Sequence, residues 1–285
     1  MDGLFLVDKP CGLTSRQIDN FFKHRFDEKG VGHLGTLDPF ATGLLVVGMG
    51  QATKVFPFLD DKVKTYQATL SLGTKTDTGE LTGAIVASMP VPQLDDKTIS
   101  KTFSTFIGKM MQTPPAYSAK SVNGLRSYKA IRLGVELKLK PQEVEIFSLT
   151  LLRFDKERAE VSFRAVVSKG TYVRTLGEDI AARLGTVGHL LSLTRLSVGP
   201  FSLAKAKKPE DIRIGDLIPL SDCLLGYDKV VLSPEQAAFA RHGGALFISE
   251  KHTSPFMALD PSNKPLGIYA SKSYGQYVCL RGFKP

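Results

Sequence analysis

One short segment constrains this chain more than any other: Gly32-His33-Leu34-Gly35-Thr36-Leu37-Asp38-Pro39, followed by Phe40-Ala41-Thr42-Gly43 and the apolar run Leu44-Leu45-Val46-Val47. Glycines permit backbone turns that a side chain would block, and Pro39 drives Asp38 toward an extended conformation. The apolar run reads as a buried strand that anchors the loop. The segment therefore sets a single carboxylate, Asp38, on a rigid loop at the start of a core strand. His33 stands five residues before it, and no second acid is close in sequence. A lone carboxylate so placed suits nucleophilic or electrostatic work at one carbon, whereas water activation between carboxylates needs a pair. The bland alternative is that the Asp-Pro pair only starts a turn, as most such pairs do.

Two nucleotide-binding readings of the region fail. Gly30-Val31-Gly32-His33-Leu34-Gly35 matches G-x-G-x-x-G, but that fingerprint needs a strand before it and a helix after it. The preceding residues, Lys23 to Lys29, are too charged for a buried strand, and Pro39 blocks a helix from starting after the last glycine. Gly48-Met49-Gly50-Gln51-Ala52-Thr53-Lys54 lacks the G-K-[ST] ending of a phosphate loop.

With 285 residues and 42% hydrophobic content, the chain can build one large domain with a small one attached. Its net charge of +9 points to a polyanionic partner. The excess is concentrated. Between Lys109 and Lys140 stand seven basic residues (Lys109, Lys120, Arg126, Lys129, Arg132, Lys138, Lys140) against one acid, Glu136. A charge run is usually a solvated face. Here Tyr117, Tyr128 and the Asn123-Gly124 turn lie among the charges, which favours nucleic acid. Thr113-Pro114-Pro115 breaks the stretch further, so it reads as an inserted arm over about 109–140.

The three cysteines, Cys11, Cys223 and Cys279, are far apart and form neither a zinc spacing nor a disulfide framework. They fit free thiols in a reducing compartment, so a cytoplasmic protein is expected. The N-terminal apolar run is too short for a signal peptide, and no stretch is long enough to span a membrane. The five histidines make no ligand pair at helical spacing, so no metal is expected.

Along the chain, Leu4 to Val7 predicts a strand and Thr14 with Gln17 a capping box, with Ile18, Phe21 and Phe22 on the apolar face of the helix. Tyr66, Ala68, Leu70 and Leu72 share one face of a strand. Thr76-Asp77-Thr78-Gly79 makes a turn before a hairpin partner at Ala84 to Ala87. A helix capped by Asp95 is expected to run to Ile107, with Ile99, Phe103 and Phe106 inward and Gly108 as its stop. Strands follow at Val144–Phe154 and Val161–Val167. A further capping box, Thr175 with Glu178, places Arg174 at a strand-to-helix junction, and Leu176, Ile180 and Leu184 line that helix. From Val230 onward, short apolar runs separated by Gly, Pro and Ser predict a small, mostly β unit. The expected class is α+β, with domains at 1–224 and 225–285.

Taken together and in order, these residues resemble the bacterial TruB-type tRNA pseudouridine synthases. The resemblance rests on Leu6-Val7-Asp8-Lys9-Pro10-x-Gly12, the Gly32–Gly43 loop, Lys64-Thr65-Tyr66, Thr76-Asp77-Thr78, and Ser168-Lys169-Gly170-Thr171-Tyr172-Val173-Arg174-Thr175. It runs from about Gly3 to Phe201 and thins thereafter. It implies a catalytic domain with a mixed, largely antiparallel sheet flanked by helices, and a PUA-like RNA-binding appendage. The implied reaction converts uridine 55 in the T-loop of tRNA to pseudouridine, by base flipping and an aspartate-dependent exchange of the N-glycosidic bond for a C-glycosidic one.

The resemblance also assigns roles. Asp38 is the essential aspartate. Tyr66 stacks on the flipped uracil and takes a proton. Arg174 pairs with the aspartate. His33 helps displace the base, Tyr172 and Leu193 line the uridine pocket, and Lys9, Lys64 and Lys169 touch phosphate. It implies no cofactor, no metal and no obligate protein partner, with the T-arm of tRNA as the partner and a monomer as the working form. Three departures from the family's pattern stand out: Gly79-Glu80-Leu81 after Thr76-Asp77-Thr78, Thr194 where an arginine commonly follows the pocket leucine (Arg195 is next), and the short C-terminal unit. Two rival readings share the Asp loop: a guide-RNA-dependent synthase, and an RNA-folding chaperone whose catalysis is incidental.

Overall fold

A computed structural model describes residues 1–115, 139–249, 252 and 255–284, together with the backbone of 121–122 and 125–126. In chain order the strands of the first part are β1 (Gly3–Lys9), β2 (Val31–Leu34), β3 (Thr42–Met49), β4 (Val63–Leu72), β5 (Thr74–Thr76), β6 (Ile85–Ser88), β7 (Gly108–Gln112), β8 (Ser121–Val122), β9 (Leu125–Arg126), β10 (Gln142–Asp155), β11 (Glu160–Ser168), β12 (Gly188–Val198), β13 (Phe201–Ser202) and β14 (Ile218–Pro219). Their helices are α1 (Ser15–Arg25), α2 (Asp96–Ser104) and α3 (Val173–Arg183). A second group holds β15 (Lys229–Val231), α4 (Pro234–Arg241), β16 (Leu246–Phe247), β17 (Phe256–Leu259), β18 (Pro265–Ser273) and β19 (Gln276–Gly282).

The large sheet runs β14-β1-β3-β12-β4-β11-β10-β7, with β2 paired to β3 and β13 to β12. All its pairings are antiparallel except β3 with β12, which is parallel. That one parallel contact lies where the site forms. Thr42 and Gly43 at the start of β3 pair with Thr194 and Arg195 of β12. A Cβ at Gly43 would sit 2.4 Å from the Arg195 carbonyl, and its φ is +96°, so glycine is required there. One face of the sheet packs on α1, α2 and α3 through Phe22, Ile18, Ile99, Phe103, Leu176 and Ile180. The mixed sheet with helices on one face is the α+β class expected from the sequence.

Several expectations are corrected. The apolar face of α1 is Ile18 and Phe22, while Phe21 is exposed, because the buried stripe continues through Ser15 and Asp19 instead. Helix α2 stops at Ser104. Phe106 is buried from the turn beyond it, and Gly108, at φ +107°, opens β7. The stretch expected as an arm over about 109–140 opens on a sheet strand rather than on a loop. Gly108–Gln112 is the edge strand of the sheet, paired with Gln142–Ile146, and arm residues 116–138, apart from two short backbone pieces, lie outside the described residues. The Thr175–Glu178 cap does not form. Helix α3 starts at Val173 with Tyr172 as its N-cap residue, so Arg174 stands in the first helical turn. The N-terminal N–H of this helix finds its partner elsewhere. The Gln112 side chain accepts from Tyr172 N–H at 2.8 Å, which satisfies a backbone donor that a helix start leaves open, and donates to Tyr172 O at 3.1 Å.

The C-terminal strands form a five-stranded sheet, β15-β17-β18-β19-β16. Its helix α4 is absent from the sequence expectation, although Ser233 with Gln236 and Pro234 at the first helical position mark it. Strand β17 shows the period of two. Phe256 and Ala258 face the unit's own core, while Met257 and Leu259 face the reverse side of the large sheet. Among the described residues no helix is long and apolar enough to cross a membrane.

Candidate active site

The Asp38 loop lies between β2 and β3 and is braced from three elements. Ser15, at the start of α1, both donates to Leu37 O (3.1 Å) and accepts from Leu37 N–H (2.9 Å). Lys9, at the end of β1, donates to Pro10 O (2.8 Å), Leu13 O (2.6 Å) and Pro39 O (3.3 Å). Arg195, on β12, donates to Leu44 O (2.8 Å), Gly35 O (2.9 Å) and Thr36 O (3.5 Å). Its guanidinium spans the loop from just before Asp38 to just after it. All three braces are buried. Buried polar groups are affordable only when paired, and here the partners are backbone groups of the loop (Gly35, Thr36, Leu37, Pro39), of the β1–α1 turn (Pro10, Leu13) and of β3 (Leu44).

Held this way, Asp38 presents its carboxylate at the floor of a cavity of about 220 Å³. Arg174 Nε donates to Asp38 Oδ2 at 2.9 Å and Nη1 to Thr78 O at 2.7 Å. The pair is unequal: Arg174 is 5% exposed and Asp38 37%. The cavity wall contains Tyr66 from β4, Leu193 from β12, Tyr172 at the head of α3, and Gly35 and Thr36 of the loop. Lys64 shares the strand face of Tyr66, two residues away, and also lines it. The cavity is smaller than the ~300–1,000 Å³ typical of drug-sized sites, so it suits one planar ring plus part of a sugar.

Two buried lysines beside this floor are electrostatically altered. Burial lowers the Lys64 ammonium to about 8, with repulsion from Arg195 next in size and Asp61 opposing. Burial likewise lowers Lys9 to about 8, with Cys11 and Asp38 opposing.

The structure thus gathers Asp38, Tyr66, Arg174, Tyr172, Leu193 and Lys64 around one cavity. His33 sits beside it through Thr36: its Nε2 is 3.2 Å from Thr36 Oγ1. Lys169 is more than half exposed and pairs with buried Asp61 at 2.9 Å. Lys9 is a correction. Its side chain is fully buried and all its donors serve backbone carbonyls, so it braces the loop and has no exposed face for phosphate. Sequence reasoning missed Ser15, Asp19, Gln112 and Arg195. The first two carried a signal, since they are polar residues at helical spacing on the buried stripe of α1.

The site and sheet define a class first. The backbone matches a chain of a Cbf5-Nop10-Gar1 complex with a TM-score of 0.71, covering 99% of this chain and 84% of that one at 20% identity. An H/ACA RNP bound to a substrate RNA containing 2'-deoxyuridine gives the same score at the same identity, covering 99% and 85%. At this identity the likeness is one of fold alone. The chain belongs to the TruB family of pseudouridylate synthases, whose N-terminal domain it matches over residues 23–173. Curated relatives called tRNA pseudouridine synthase B include that of Hydrogenovibrio crunogenus, 38% identical over 94% of this chain and 89% of its own length. Those of Psychrobacter cryohalolentis (38% identical, 89% and 73% covered) and Bordetella avium (45% identical, 72% and 84% covered) are similar.

Proposed function

We propose that the protein isomerises uridine 55 in the T-loop of tRNA to pseudouridine. The observation that carries this reading is the Asp38–Arg174 pair at the floor of a one-ring cavity, with Tyr66 on its wall. A base inside a folded loop must leave the stack to be reached, and readers of such bases stack them on aromatic side chains. Tyr66 serves as that platform, Tyr172 and Leu193 shape the slot, and His33 competes for the space the base vacates. Asp38 acts on the ribose as the N-glycosidic bond breaks. The detached uracil turns within the closed slot and its C5 bonds to the anomeric carbon. The C5 proton leaves to a base, the role this reading gives to Tyr66 on the cavity wall, and a proton is taken up at the freed nitrogen. Atoms and charge balance with no redox step.

Arg174 keeps Asp38 aimed throughout. Lys64 and Lys169 meet the backbone phosphates, and residues of the basic arm add the salt-dependent share of affinity. The C-terminal sheet is a further RNA contact. The protein works in the cytoplasm as a monomer without a guide RNA or obligate protein partner. The test is pseudouridine formation in an unmodified T-arm transcript, with purified wild type and Asp38→Asn side by side. Wild type alone yields product at the T-loop uridine, and Asp38→Asn binds the transcript normally without turnover. Tight binding without product from wild type would favour the guide-dependent alternative and overturn this reading.

A further inference from the structure

Helix α1 buries four residues at the i, i+3, i+4, i+7 spacing: Ser15, Ile18, Asp19 and Phe22. Ile18 and Phe22 belong to the core, and Ser15 is spent on the Asp38 loop. Asp19 has no such explanation. Its carboxylate is 1% exposed, on the apolar face of a helix. A buried charge needs a partner to be tolerated. Its partner is His33, whose Nδ1 lies 3.0 and 2.9 Å from the two carboxylate oxygens. Arg16, itself mostly exposed, approaches only to 3.6 Å.

An ionised carboxylate can only accept, so Nδ1 carries a proton. The bond at one imidazole nitrogen sets the state of the other. That other nitrogen, Nε2, faces Thr36 Oγ1 at 3.2 Å, and Thr36 lines the cavity. The backbone of His33 is fixed as well, paired with Val47 in the β2–β3 ladder. With Asp19 on one edge of the ring and Thr36 on the other, the remaining freedom of the side chain is gone. We propose that Asp19 is a positioning residue for His33: it fixes the proton on Nδ1 and turns the Nε2 edge toward the cavity rim, where the displaced base passes. This rests on the base-displacing role given to His33 above.

Two measurements test it. Nitrogen-15 NMR of the histidine rings, with His33 assigned by the His33→Gln variant, reads the proton directly. Nδ1 of His33 is expected to be protonated in wild type. In the isosteric Asp19→Asn variant the His33 ring signals should move while those of His24, His189, His242 and His252 stay, which also verifies the fold. Single-turnover kinetics on the T-arm transcript give the second readout. Asp19→Asn should slow product formation about tenfold, the lower end of what losing the orienting partner of a metal-bound histidine costs, with transcript affinity unchanged. In the His33→Gln background, Asp19→Asn should have no further effect. An unprotonated Nδ1 in wild type, or an equal slowing in both backgrounds, overturns the proposal. If wild type gives no product on this transcript, the substrate assignment fails, and the NMR measurement still decides whether Asp19 sets the state of His33.

Discussion

The burial of Arg174 beneath a half-open Asp38 sets the terms on which the carboxylate works. The guanidinium is compensated on two sides, by Asp38 through Nε and by the Thr78 carbonyl through Nη1. Lysine donates from a single point and has no planar fork, so it does not reproduce the separate Nε and Nη1 directions that serve the two partners. Arg174→Lys should fold and bind RNA but lose about 10²-fold or more in kcat, read by single-turnover kinetics. Lys64 carries the second residue-scale prediction. Its ordinary value is 10.5, and burial first, then Arg195, lowers it to about 8. Between those values the unfolded chain holds a proton that the folded chain has released, so folding gains from this group as pH rises through that window. Binding runs the other way: above pH 8 the charge that would meet phosphate is lost. Transcript affinity should therefore fall by about tenfold from pH 7 to pH 9, the scale of one charge-assisted hydrogen bond. Lys64→Arg should flatten that fall, and an unchanged pH slope in the variant would remove Lys64 from the phosphate contacts.

Edge strand β7 does two jobs. It closes the large sheet beside β10, and its last residue, Gln112, holds the backbone of Tyr172 at the head of the helix that carries Arg174. Replacing 116–138 with a short Gly-Ser link should leave folding and single-turnover rate intact, weaken tRNA binding and flatten its salt dependence. Extending the deletion back to Met110 should instead lose folded protein, because Gln112 and the partner of β10 go with it. Circular dichroism and filter binding across salt separate the two outcomes. The arm looked continuous from Lys109 because charge alone marks no boundary, whereas sheet pairing over a long sequence separation does. The same limit explains the uneven legibility of the site. Asp38 and Tyr66 sit where a glycine loop and strand alternation announce them, Leu193 is legible only through the family resemblance, and the Thr14–Gln17 box formed as read. The Thr175–Glu178 box did not form, because the helix starts at Val173 and Thr175 lies inside it, with a side chain some sixty residues away accepting from the Tyr172 N–H. The resemblance puts Lys9 on phosphate and gives Arg195 no role, because only the fold shows both wrapped by backbone carbonyls around the Asp38 loop.

At the scale of the molecule, the two sheets share a core. Leu4, Leu44, Val46 and Val198 on the reverse side of the large sheet pack with Met257, Leu259, Ile268 and Phe283 of the C-terminal unit. Around this core, Tyr227 Oη donates to Phe58 O at 3.1 Å, Lys54 Nζ donates to Gly282 O at 3.3 Å, and the Lys284 backbone bonds the Gln51 side chain. The C-terminal unit is therefore a cover for the catalytic sheet as well as a candidate RNA contact. Those two roles make different predictions. Cutting the chain after residue 224 strips the cover from four buried aliphatic side chains, each worth about 1.5–3 kcal/mol in burial. The sum rivals the ~5–15 kcal/mol stability of a whole domain, so the truncated protein should aggregate. Such a result would say nothing about RNA. Phe283→Ala is the finer probe. It should cost about 3–5 kcal/mol, lowering Tm by about 2–4 °C per kcal/mol for a protein of this size. Transcript affinity and single-turnover rate at 25 °C should hold, because Phe283 faces the shared core and the cavity lies on another part of the fold. A fall in affinity without a fall in Tm would reverse the order of importance and make RNA contact the main work of the C-terminal sheet.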